Sequence, residues 1–90
     1  MTANQHQLVP LEKRNCLEAY LILQNVALTR QELNVLYWSM EGKTNAEIAE
    51  ALGISPSTIK AHKNNLIAKL GLTGRVDFQK YLLAIAKNPP

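Results

Sequence analysis

No acidic side chain occurs between Glu50 and Asp77, whereas Lys60, Lys63, Lys69 and Arg75 all fall in that interval. The net charge of +3 is therefore unevenly spread: residues 1–28 sum to zero, and residues 29–90 set eight Lys/Arg against five Asp/Glu. One cysteine, Cys16, excludes an internal disulfide framework and fits a reducing compartment. No apolar run approaches the roughly 20 residues that a membrane-spanning helix needs. The N-terminus lacks the charged start and continuous apolar stretch of a signal peptide, so the cytoplasm is the expected location. Four glycines and four prolines in 90 residues are too few for a low-complexity chain. Aromatic residues make up only 6%, so a core must come mainly from Leu, Ile, Val and Ala, and the 47% hydrophobic content supports one small domain. The parts of an enzyme are missing too. There is no nucleotide-binding glycine loop, no paired metal ligands and no Ser/His/Asp arrangement, so no catalytic residue, metal or cofactor is expected.

What is present is concentrated in residues 44–70. Thr44 followed by Glu47 has capping-box spacing, in which a hydroxyl and a carboxylate satisfy the first free N–H groups of a helix. Ile48, Ala49 and Leu52 give that helix one apolar face, and Gly53 supplies a left-handed stop. Ser55 as N-cap and Pro56 at the first helical position open the next helix, which runs to Leu70. Two helices joined by three or four residues with a glycine have helix-turn-helix spacing. In the second of them Ile59, Leu66, Ile67 and Leu70 form a core stripe. Ser57, Lys60, Ala61, Asn64 and Ala68 lie on the opposite side, and small, hydrogen-bonding residues there suit close approach to base edges. The helix carries Lys60, Lys63 and Lys69 and no acid. A basic run can be merely a solvated face, but its coincidence with this helix favours phosphate contact.

The remaining segments frame that pair. Met1 to Pro10 reads as a polar arm. Leu11 to Gln24 has helix formers without Gly or Pro, with Leu11 and Ile22 pointing one way and Leu17, Tyr20 and Leu21 another. This segment is expected to cover the domain, with a linker or dimer contact as alternatives, and Cys16 is expected as a buried or partly buried thiol within it. Thr29 and Glu32 repeat the capping-box spacing and open a helix with Leu33, Leu36, Tyr37 and Met40 on one side, closed by Gly42. Gly71 ends the helix from Pro56, and a last one runs from about Arg75 to Lys87 before Asn88-Pro89-Pro90. Phe78, Tyr81, Leu82 and Ile85 share one face of it; Val76 and Leu83 point elsewhere. A small domain can bury only one of these faces, so the last helix is a candidate for self-association, and Phe78, Tyr81, Leu82 and Ile85 are taken as the dimer interface.

From Leu28 to Ala86 the sequence resembles the LuxR/FixJ-type (GerE-like) helix-turn-helix domain of bacterial transcription regulators. The matching residues are LTRQE at 28–32, VL at 35–36, EGKTNAEIAEALGIS at 41–55, TIKAH at 58–62 and KLGLTGRV at 69–76. The resemblance implies an all-α fold of four helices, here with an additional N-terminal helical segment (residues 1–27) before the domain proper (28–88). It implies a third helix in the major groove of double-stranded DNA, a fourth used for homodimerisation, and control of transcription. By position, Lys60, Ala61 and Asn64 match base-facing sites, to which the wheel adds Ser57. Ser55, Ser57, Thr58 and Lys69 match positions at or near the DNA backbone, and Thr44, Asn45 and Lys63 are further candidates for phosphate contact. Lys63 departs from the family, which usually has an aliphatic residue there; either its stem packs while its ammonium reaches towards DNA, or the helix sits differently. His62 matches a common family histidine and is expected to be packed rather than catalytic or metal-binding. Twenty-seven residues cannot hold a receiver or autoinducer-binding domain, so the chain is either a compact stand-alone member or a fragment of a longer regulator. The alternative function is a small interaction module that binds and modulates another regulator; RNA polymerase is a further partner to consider, and a membrane is not.

Overall fold

The computed structural model describes residues 10–87. They form five helices and no strand: α1 (Leu11–Ile22), α2 (Arg30–Met40), α3 (Asn45–Leu52), α4 (Pro56–Lys69) and α5 (Gly74–Lys87). The chain is all-α, as its sequence pattern predicts. Most of the arm and the Asn88-Pro89-Pro90 stop lie outside the described residues.

Helix starts follow the capping chemistry. The Thr29 hydroxyl accepts from the Glu32 N–H at 3.1 Å, and the Glu32 carboxylate accepts from the Thr29 N–H at 2.9 Å. The same reciprocal pair at Thr44 and Glu47 measures 3.2 and 2.8 Å. Between α3 and α4 the chain reverses through Gly53, whose φ of +71° is a left-handed conformation that a Cβ would strain. Ser55 then accepts from the Thr58 N–H at 3.2 Å, with Pro56 in the first turn where a missing N–H costs nothing.

The centre of the domain is α2, which packs on all four other helices. Val35, Leu36, Ile48, Ile59 and Leu66 are fully buried, each contributing about 1.5–3 kcal/mol of transfer free energy. Inside this core the Ser39 hydroxyl donates to the Val35 carbonyl at 2.8 Å, so its burial leaves no orphan donor. The stripe expected on α4 is realised, with Ile59 and Leu66 buried and Ile67 and Leu70 packed against the core.

Two expectations are corrected. Cys16 is exposed, not buried. Leu17 takes the inward position one residue later, and the turn of about 100° per residue swings Cys16 outward, onto a shallow pocket of about 220 Å³ bordered by Leu17, Tyr37 and Met40. The face of α5 taken for the dimer interface is turned into the domain: Phe78, Leu82 and Ile85 are buried and Tyr81 is half-buried. Its aromatic and aliphatic bulk is what closes α5 onto α2 and α4, and a face already packed inside one chain is unavailable to a second. The apolar residues that α5 does present are Val76 and Leu83, 67% and 65% exposed. They are not covered by α1, which packs on α2.

Candidate nucleic-acid interface

Opposite its buried stripe, α4 presents Ser57, Lys60, Ala61 and Asn64, all exposed. Ser57, Ala61 and Asn64 are small, and Lys60 is long but flexible, so the face leaves room for a close approach. At the helix start the Ser55 hydroxyl lies 3.1 Å from the Ser57 hydroxyl and 2.9 Å from that of Thr58, so three exposed hydroxyls form one small cluster. These groups can donate to or accept from an approaching polar edge.

One flank of α4 continues into a groove of about 400 Å³ shared by the start of α3, the body of α4 and the start of α5. Its walls carry Lys43, Lys60, Lys63 and Arg75 and, among the described residues, no carboxylate. Thr44, Asn45, Asn64 and Gln79 add polar groups, and the buried Asn45 Oδ1 atom has no hydrogen-bond partner among the described residues. Lys63 is half-buried. Burial, with the Arg75 charge adding to it, lowers the pKa of its ammonium below the ordinary lysine value. Lys43 leans over the indole of Trp38, 5.9 Å from the ring centroid. The groove is a concentration of positive charge beside the exposed face of α4, arranged to receive an anion that extends past both.

Residues 26–82 match the family described as bacterial regulatory proteins, luxR family. The chain belongs to that family. It is 45% identical over 62 residues to the transcriptional activator protein SolR of Ralstonia solanacearum, covering 69% of this chain and 25% of the relative. An uncharacterized transcriptional regulatory protein of Bacillus subtilis (strain 168), YhcZ, is 48% identical over 61 residues, 68% of this chain and 28% of its own length. The transcriptional activator protein PhzR of Pseudomonas fluorescens is 34% identical over 77 residues, 83% and 32% of the two chains. The chain thus spans about a quarter to a third of the length of these relatives. No solved structure matches it.

Within this luxR-family domain, the groove gathers five of the expected DNA-contact residues: Thr44, Asn45, Lys60, Lys63 and Asn64. Ser55, Ser57 and Thr58 cluster at the tip of α4, and Ala61 lies on its exposed face outside the groove lining. Lys69 requires a correction. Expected at the DNA backbone, its ammonium is instead held 2.8 Å from the Glu32 carboxylate of α2. Burial alone would raise the Glu32 carboxyl; the Lys69 hydrogen bond, the Thr29 N–H and the Lys69 charge together outweigh it and hold the pKa below the usual value. Lys43, Arg75 and Gln79 are groove residues absent from the expected set. Arg75 lay in the acid-free interval and could have been found there; nothing local marks Lys43 or Gln79. His62 is half-buried, and no group of three or more His, Cys, Asp or Glu among the described residues could hold a metal ion. No described helix is long and apolar enough to cross a membrane.

Proposed function

We propose that this chain is a sequence-specific, double-stranded DNA-binding module of a transcription regulator, with α4 entering the major groove. The observation that carries the reading is the acid-free groove of Lys43, Lys60, Lys63 and Arg75 running beside the small, polar, exposed face of α4. Cations on that flank neutralise phosphates, while Ser57, Lys60, Ala61 and Asn64 approach base edges. Thr44, Asn45, Ser55 and Thr58 sit at the starts of α3 and α4, where free N–H groups and hydroxyls suit backbone oxygens. Self-association would use Val76 and Leu83, seven residues apart on the open side of α5, and would set two copies of α4 against two half-sites.

Fluorescence anisotropy of a random duplex and a duplex from a selected pool, titrated at several salt concentrations, tests this. A steep negative salt slope with tighter binding to the selected duplex is the expected result. Lys60→Ala should cost about 1–3 kcal/mol on the selected duplex and less on the random one. Absence of binding by the folded protein at low salt would sink the reading. In its place would stand the interaction module, favoured by the exposure of Leu23 at 85% and Ile22 at 57% beside the end of α1. Leu83→Glu separates self-association from DNA contact, since it should abolish dimers without changing duplex affinity per monomer.

A further inference from the structure

We infer that Lys63 and Arg75 together seat a single backbone phosphate of the bound nucleic acid, which makes α5 part of the DNA-binding surface. The inference rests on the DNA-binding reading above. Lys63 projects from the middle of α4 and Arg75 from the first turn of α5, and both line the same groove. A half-buried ammonium has lost part of its hydration, and here the neighbouring charge is another cation. No carboxylate lines the groove to compensate it. Elsewhere in the same helix the fold answers this problem internally, because Lys69 is given Glu32 at 2.8 Å. Among the described residues Lys63 has no such partner, so the free protein carries a like-charge cost that an incoming anion removes. An anion between the two would accept from the ammonium and the guanidinium at once, and a phosphate oxygen pair suits the fork of an arginine.

The surroundings favour a phosphodiester over an isolated small anion. The groove continues past Lys60 and Asn64, which belong to the exposed face of α4, so its occupant must extend along the helix. Asn45 and Gln79 line the walls with uncharged amides, whose NH2 groups can donate to phosphate oxygens. A strand lying in this groove meets side chains from α3, α4 and α5. The start of α5 then fixes how deeply α4 sits in the major groove, because a phosphate held at Arg75 cannot move relative to the base-facing residues.

The experiment is the salt dependence of random-duplex binding for the whole chain carrying Lys63→Met, Arg75→Ala or both, with Lys63→Arg and Lys80→Ala as controls. Each neutral single variant should weaken binding several-fold. The double variant should flatten the slope of log affinity against log salt by about 0.9, the value of one phosphate. Lys63→Arg should keep the wild-type slope, and so should Lys80→Ala, whose side chain is exposed on α5 outside the groove lining. Helical circular dichroism shows that the variants compared are folded. A wild-type slope in the folded double variant would overturn the inference while the DNA reading stands. Flattening by about two phosphates would overturn the shared seat, because each cation would then hold its own. Absence of duplex binding by the wild type would instead remove the underlying DNA reading, a result visible before any variant is compared. A slope lost in the double variant together with no preference for any selected duplex would keep the phosphate seat and remove only sequence specificity.

Discussion

The chain contains the same four-residue signal twice, Thr29 to Glu32 and Thr44 to Glu47, and both copies close nearly identical capping boxes. Their surroundings differ completely. Glu32 is buried, its side chain 4% exposed, and its carboxylate also receives Lys69 from the far end of α4. Glu47 is exposed and its carboxyl is lowered chiefly by the Thr44 backbone hydrogen bond. One box is thus a local helix start that also fastens α4 to the centre of the domain. The other remains only a helix start and leaves Thr44 and Asn45 facing the basic groove. A capping motif reports where a helix begins; what its carboxylate does beyond that is decided by tertiary contacts.

Removing the two acids should separate these roles most sharply. Glu32→Ala loses a cap and a charge-assisted hydrogen bond inside the core, and is expected to destabilise by about 2–4 kcal/mol in chemical denaturation. Glu47→Ala should lower the midpoint far less. Equal losses would mean that the long-range pair contributes nothing. Lys69→Met comes next, at about 1–3 kcal/mol, because it strands a buried carboxylate while the partly exposed lysine itself is screened by water. The same variant should leave the salt slope of duplex binding unchanged; a slope flatter by about one would return Lys69 to the phosphate contacts. Thr44→Ala should cost about 1 kcal/mol or less, the ordinary value of a solvent-facing N-cap.

Acid should expose the same asymmetry in the wild type. The pKa of Glu32 is lowered in the folded protein, so its stabilisation is fully present above the unfolded carboxyl value of about 4.3. It is lost as pH falls through the lower folded value. Thermal midpoints of wild type and Glu32→Gln should therefore converge as pH drops below about 4, and a constant gap would remove the carboxylate's charge from the account.

Which parts of the molecule could be foreseen follows from the range of each signal. Caps at Thr29, Thr44 and Ser55, the left-handed stop at Gly53 and the stripe of Ile59 and Leu66 are written within a few residues of one another, and they were legible. The pairing of Lys69 with Glu32 joins residues 37 apart and has no local trace, so Lys69 looked like another phosphate contact. The two faces of α5 were legible as faces, but periodicity does not say which one the other helices cover. Bulk decided it, and Phe78 and Leu82 went inward. Lys63 showed in the sequence as a charge within an apolar stripe, and its half-buried place in the groove is the outcome. Lys43 and Gln79 enter the groove only because the start of α3 and the start of α5 are brought alongside α4.

The position of Lys43 over Trp38 has an optical consequence. Trp38 is the only indole in the chain, and the cation above its ring also lines the groove. The emission colour of an indole responds to a charge near its ring, so an anion that draws Lys43 away should shift the protein's own fluorescence. Trp38 is buried and does not itself line the groove, so the signal would register occupancy near Lys43 whatever the sequence of the duplex. Unlabelled protein and unlabelled nucleic acid would then suffice to follow arrival at this surface in real time.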